Sequence, residues 1–211
     1  MATVMAPRLE WFPRPWTGLR GAARYLDLWQ GAPATYAPGD EQDGSGWHHD
    51  REQHLITPTG TADLFERAAE RLGRYDFYPP GRLQHLGVFE REGRRAQVGD
   101  DIVQRIHVAG ARGWRLLDAV TLVRVSGVVA EPRRAGLTYV TTAAHFEIGA
   151  WSAWVEWAAA GALTVHIASV SRPGPRIAAW QRPFTRALQK DAHRRGLERF
   201  ARRAWLDSAI A

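Results

Sequence analysis

The sequence predicts an α+β fold in which a curved antiparallel sheet is wrapped around a long C-terminal helix. Three observations carry that expectation. From Asp101 onward apolar residues recur with a period of two, and strand-like segments follow one another with no helical stretch between them. After Pro175 the period becomes helical and holds to the end of the chain. The sheet then has one apolar face and the last helix one apolar stripe, so packing each against the other is the economical solution.

The elements follow in order. Residues 1–46 set Trp11, Phe12, Trp16, Tyr25, Trp29 and Tyr36 among Pro13, Pro15, Pro33 and Pro38. A short helix is expected from Thr17 to Gln30, with Leu19, Ala23, Leu26 and Trp29 on one face, and a loop from Gly31 to Gly46. So many aromatics are costly in water, so this arm is expected to pack on a domain formed by residues 47–211. Trp47 to Ile56 reads as a strand broken by Thr57-Pro58-Thr59-Gly60. Thr61 then caps a helix from Ala62 to about Arg74, with Leu64, Phe65, Ala68, Ala69 and Leu72 as its stripe. Tyr78-Pro79-Pro80-Gly81 is a turn, and Arg82 to Ala96 holds a short strand or an irregular connection.

Ile102, Gln104, Ile106 and Val108 alternate with Val103, Arg105 and His107; a turn at Gly110 to Gly113 leads into a long β-branched run from Trp114 to Ala130. Glu131 to Gly136 turns the chain into Leu137 to Thr142, and Ala159-Ala160-Gly161 joins Ala150–Ala158 to Ala162–Val170 as a hairpin. Ser171-Arg172-Pro173-Gly174-Pro175 ends the sheet. The final helix breaks early at Pro183 and places Trp180, Phe184, Leu188, Leu197, Phe200 and Ala204 near one face, with Gly196 weakening its middle. A strongly twisted sheet wrapped round one helix leaves a wedge between them, a natural place for a pocket.

Composition narrows the function classes. With 211 residues, 45% apolar residues and ten tryptophans, the chain builds a core and is not disordered. No apolar run reaches the roughly 18 to 20 residues of a membrane span, and the first eight residues lack the pattern of a signal peptide, so a soluble, cytoplasmic protein is expected. The absence of cysteine removes disulfides, thiolate metal sites and thiol nucleophiles. The net charge of +6 is local: Arg172 to Arg203 holds nine arginines and Lys190 against Asp191 and Glu198, and the remainder of the chain is slightly acidic. Clustered arginine on one helix admits nucleic acid or an anionic surface as a partner, although a charged outer face is the usual state of a surface helix. A phosphate-cradling Gly-rich loop, a Gly-x-Ser-x-Gly elbow and a His-Glu-x-x-His motif are absent.

Tyr139, Thr141, His145 and Gly149, followed by Ser171-Arg172-Pro173 and then Gln189 on a helix, resemble the uncharacterised family numbered nineteen-ninety among the domains of unknown function. The family's aromatic-Gly-Thr-Leu-Pro-Gly-His segment is altered here: Val140 replaces the glycine, Thr142-Ala143-Ala144 replaces Leu-Pro-Gly, and Ala150 replaces a glutamate. The resemblance runs from about Gly60 to Phe200. It implies similarity to the helix-grip proteins, the superfamily of plant pathogenesis-related allergens and steroidogenic lipid-transfer domains. Most members hold apolar ligands between sheet and helix, and some are cyclases or hydrolases.

A small apolar or amphipathic ligand is therefore the expected partner, with no cofactor. His145, Glu147, Ser171 and Arg172 lie at strand ends where their side chains converge on one mouth of the sheet; alternatively, His145 caps a turn and Ser171-Arg172-Pro173 is a structural corner. An enzyme in the same cavity would use His145 to carry a proton and Arg172 to hold an anion. Tyr139 offers a hydroxyl to the pocket or simply fills the sheet, and Gln189 joins the set through the resemblance. Trp151 and Trp157 face one way on their strand and Trp154 the other, with Trp151 and Trp154 expected around the ligand. His166 is expected on the outward face. His48, Asp50 and His54 have strand-like even spacing but read as a solvated edge, so no metal is expected.

Overall fold

The computed structural model describes residues 5–11, 20–111 and 114–208. Phe12, Trp16 and Leu19, part of the expected N-terminal arm, lie outside the described residues. The chain runs β1 (Arg8–Trp11), α1 (Arg20–Leu28), β2 (His48–Thr57), α2 (Ala62–Gly73), β3 (Leu83–Gly87), α3 (Val88–Arg91), β4 (Asp101–Ala111) and β5 (Trp114–Glu131). It continues through β6 (Arg134–Thr141), β7 (Glu147–Trp157), β8 (Leu163–Pro173) and α4 (Arg182–Ser208). Among the described residues the eight strands form one antiparallel sheet in the order β2-β8-β7-β6-β5-β4-β3, with β1 added to β5. Bulges between Leu55 and Thr57, between His107 and Gly110, and between Val125 and Gly127 bend the strands and deepen the curvature. The curved sheet and long last helix are those the sequence predicts.

Strict alternation sorts each strand between two faces. Val123 and Val125 on β5, Leu137 and Tyr139 on β6, Trp151, Ala153 and Val155 on β7, and Leu163, Val165 and Ile167 on β8 point inward with Leu64, Phe65 and Leu72 of α2 and Leu197, Phe200 and Ala204 of α4. Thr61 caps α2 as expected, its hydroxyl accepting from the Leu64 amide at 3.2 Å. The opposite face of β3, β4 and β5 presents Leu86, Val103, Val120 and Leu122, and α1 covers it with Ala22, Tyr25 and Leu26, followed by Trp29. The buried stripe of α1 therefore runs through Ala22 and Tyr25 rather than Ala23.

One connection left open is resolved and two expectations are corrected. Arg82 to Ala96 resolves into β3 and the single-turn α3. Ser171-Arg172-Pro173 does not leave the sheet: Ser171 pairs with both His48 and Gly149, and Pro173 closes the strand opposite Glu147, because β2 and β7 extend the ladder on either side. Pro183 does not break the last helix. A 3-10 turn at Ala179–Gln181 leads directly into α4, and Pro183 sits in its first turn, where an amide has no intrahelical acceptor to lose. Gly196 has a packing reason, since a Cβ there would fall 2.3 Å from Phe77 Cε1. Among the described residues no helix is long and apolar enough to cross a membrane.

Candidate functional site

The chain between α2 and β3 builds the inner wall of the site. Arg74 ends the helix, and Tyr75 adopts the left-handed conformation (φ 57°) usually left to glycine, which redirects Phe77 and Tyr78 under the sheet. The aromatic knot that results centres on Trp151: Tyr139 stacks on it at 5.1 Å, and Phe77, Tyr78 and Tyr75 surround it at 5.3, 5.7 and 5.9 Å. The Gln104 amide donates to the Tyr75 hydroxyl at 2.7 Å, and Tyr78 and Tyr139 join the same network. Burial pushes all three tyrosine hydroxyls up, so they act as neutral donors and acceptors.

Next to this knot the inner face does not fill. A cavity of about 380 Å³ lies between β4–β8 and the start of α4. Its walls are mostly apolar, from Leu83 and Ile106 on the sheet to Ile177, Phe184 and Leu188 above. Trp180 and Phe184 stand at its rim, 80% and 51% exposed. The expectation that the apolar stripe of α4 lies wholly on the sheet is therefore corrected. Leu197, Phe200 and Ala204 are buried as expected, whereas the stripe's first part roofs a space instead of touching a wall.

Polar groups gather where β7 begins. Gly149 is obligatory there, because a Cβ would sit 2.0 Å from the Val170 carbonyl oxygen. The Thr141 hydroxyl accepts from the Gly149 amide at 2.9 Å, which fixes the strand so that Glu147 and Trp151 face inward. The Glu147 amide donates to His145 Nδ1 at 2.9 Å. The same nitrogen lies 3.1 Å from the Glu147 carbonyl oxygen, so either tautomer of the imidazole is held by the Glu147 backbone. Burial holds His145 down at about 4, so it is neutral at physiological pH. Burial pushes the Glu147 carboxyl up to about 7, with Arg186 pulling against the rise and Asp50 adding to it.

From α4 come Gln189 and His193. Gln189 donates to the Ser171 hydroxyl at 3.0 Å and accepts from Arg186 at 2.7 Å, and Arg186 forks onto Asp50 of β2. Burial raises the Asp50 carboxyl, but the Arg186 fork outweighs it and holds the group below the usual range. This chain of bonds staples the first half of α4 to β2 and β8. His193 is 3% exposed and lines the cavity, burial holding it down at about 4, and its Nδ1 has no hydrogen-bond partner. The Trp151 indole nitrogen, on another lining residue, is likewise buried without one.

A family model described as Domain of unknown function (DUF1990) matches residues 32–199. The chain belongs to this family. The DUF1990 match begins at residue 32, earlier than the motifs at Gly60 and after indicate, and so includes part of the N-terminal arm. No curated protein matches the chain. Among solved structures it is similar to Zhui aromatase/cyclase from Streptomyces sp. R1128, at 16% identity and a TM-score of 0.46, covering 75% of this chain and 93% of that one. It is also similar to Ara h 8.0201, at 14% identity and a TM-score of 0.42, covering 74% and 98%.

The residues singled out from sequence separate into two places. Tyr139, His145, Trp151, Ser171 and Gln189 all line the cavity of this DUF1990 chain. Trp154 and Arg172 do not. Strand alternation turns Trp154 to the opposite face, where it stacks on His166 at 5.0 Å between Arg51 and Arg134. Arg172 likewise faces away and lies over the Trp47 ring at 4.7 Å, so it and His145 do not share a cleft. His48, Asp50 and His54 share one face of β2, but Asp50 is committed to Arg186, and no metal-holding cluster occurs among the described residues. The sequence reasoning missed His193, although its helical spacing with Gln189, Leu197, Phe200 and Ala204 was a readable signal.

Proposed function

We propose that this protein is a small-molecule binding module of helix-grip type that encloses an apolar or amphipathic ligand between the sheet and the start of α4. The observation that carries this is the cavity itself: about 380 Å³, apolar-walled, with buried nitrogens of Trp151 and His193 left without partners on its lining residues. Clefts above roughly 300 Å³ with a few convergent polar groups are the usual form of a ligand site, and a bound molecule that bonds those nitrogens removes their desolvation cost. Tyr139, His145, Ser171 and Gln189 supply the fixed polar anchors, Trp151 and Tyr78 flat apolar walls. An enzyme that pairs His145 with Arg172 is disfavoured because Arg172 is held on Trp47.

Native mass spectrometry of protein purified from its own host tests the proposal. A retained mass that is released on denaturation is the expected result. A bare polypeptide mass, together with no thermal shift from any apolar compound in a broad panel, overturns it.

A further inference from the structure

We propose, resting on the ligand-binding function above, that the ligand is an amphipathic amine whose ammonium group pairs with the Glu147 carboxylate while its apolar body lies against Trp151, Tyr139 and Tyr78.

The charges around the cavity carry this. Glu147 projects from the start of β7 into the cavity, and the cation whose charge acts on its carboxylate, Arg186, is paired with Asp50 instead. The groups that face it are accounted for from each neighbouring element. From α4, Arg186 is forked onto Asp50 of β2, and His193 is neutral. From the turn before β7, His145 is neutral, with its Nδ1 engaged by the Glu147 backbone. From β6 and the α2–β3 connection come the un-ionised hydroxyls of Tyr139 and Tyr78. At the rim Arg82 is paired with Asp191 at 3.1 Å, and Arg176 is exposed. The one unneutralised charge the interior can develop is therefore negative.

An anionic ligand would meet the half-buried Glu147 carboxylate with only the solvent-exposed Arg176 at the rim to offset it, and a wholly neutral one would leave Glu147 to hold its proton or pay for ionising. An ammonium group satisfies the carboxylate with a charge-assisted hydrogen bond. It is also attracted to the faces of Trp151, Tyr139 and Tyr78, which line the same space. The unpartnered nitrogen of neutral His193 is available as an acceptor, and the Trp151 N–H calls for a hydroxyl, ether or carbonyl oxygen on the ligand body.

The test uses the full chain and matched trios that differ only in the head group: tryptamine, tryptophol and indoleacetate, and dodecylamine, dodecanol and dodecanoate. By calorimetry the amine of at least one trio should bind about tenfold or more tighter than its alcohol, with the acid weakest. Glu147→Gln should abolish the preference for amine over alcohol while leaving the alcohol's affinity nearly unchanged. In the unmodified protein amine affinity should fall by roughly tenfold per pH unit below about 7, with a proton released on binding near pH 6, because the carboxyl must ionise first. That arm does not depend on whether the variant folds. An alcohol or acid that binds as tightly as its amine overturns the amine assignment and leaves the binding module standing. No binding by any of the six, in protein shown to be folded, overturns the amine assignment too, and the binding module falls with it if the native mass is also bare and the broad panel gives no thermal shift.

Discussion

From His193 to Ala204, helix α4 lies on the sheet with Leu197, Phe200, Ala201 and Ala204 sealed against Phe77 and its neighbours. From Arg182 to Gln189 the same helix leaves Phe184 half in solvent, spans a cavity, and is held at its edge by the Arg186–Asp50 fork and the Gln189–Ser171 bond. One half is fixed by hydrophobic contact over its whole face, the other by a few directional polar bonds at a rim. The packed half therefore bears the stability, and the stapled half is free to roof a space without collapsing into it.

The largest expected effect breaks the packed half. Phe200→Ala should cost about 3–5 kcal/mol in denaturant unfolding, because Phe200 is fully buried beside Phe77 and the helix cannot close the void. Phe184→Ala, the same change in the stapled half, should cost under about 1 kcal/mol; similar costs for the two would erase the contrast between the halves. Asp50→Ala should cost about 2–4 kcal/mol, since it strands the Arg186 guanidinium in a half-buried place, and faster amide exchange should appear between Arg182 and Gln189 before it does beyond His193.

The polar end of the cavity gives the stapled half a pH signature. Glu147 holds its proton more tightly folded than unfolded, so its contribution is present at and below pH 4.5 and is lost as pH rises to about 7. His145 and His193 act oppositely, contributing fully above pH 6.5 and losing that contribution as pH falls toward 4. Glu147→Gln should therefore be more stable than the unmodified protein by roughly 1–3 kcal/mol at pH 8, with the difference vanishing near pH 4, as measured by denaturant midpoints at the two pH values. The smallest effect belongs to the rim. Trp180→Ser should move stability by less than about 0.5 kcal/mol, because that side chain is already in solvent, yet speed the exchange of a bound ligand by clearing the rim.

The arginines of α4 illustrate how far charge counting carries. Arg186, Arg194, Arg195 and Arg199 are engaged with Asp50, Asp191, Glu198 and Asp76, so much of the apparent basic face is internally neutralised. Asp50 and Asp76 are more than a hundred residues away in the chain, beyond what local spacing can anticipate.

What the sequence determined by itself is the order and type of the main elements, though not of β1 or α3: the Thr61 cap, the period-two run after Asp101, the hairpin glycine at Gly161 and the helical stripe through Phe200. These are local signals, set by dihedral preference and side-chain spacing, and alternation alone already placed Trp151 and Trp154 on opposite faces. Tertiary structure decided what lies opposite each side chain. It turned Trp154 and Arg172 outward, brought His193 over the start of β7, and left the first turns of α4 above a space. The physical reason is that burial, pairing and the ionisation of Glu147 depend on neighbours supplied by five different strands and a helix, whose register and curvature exist only once the sheet has closed around α4.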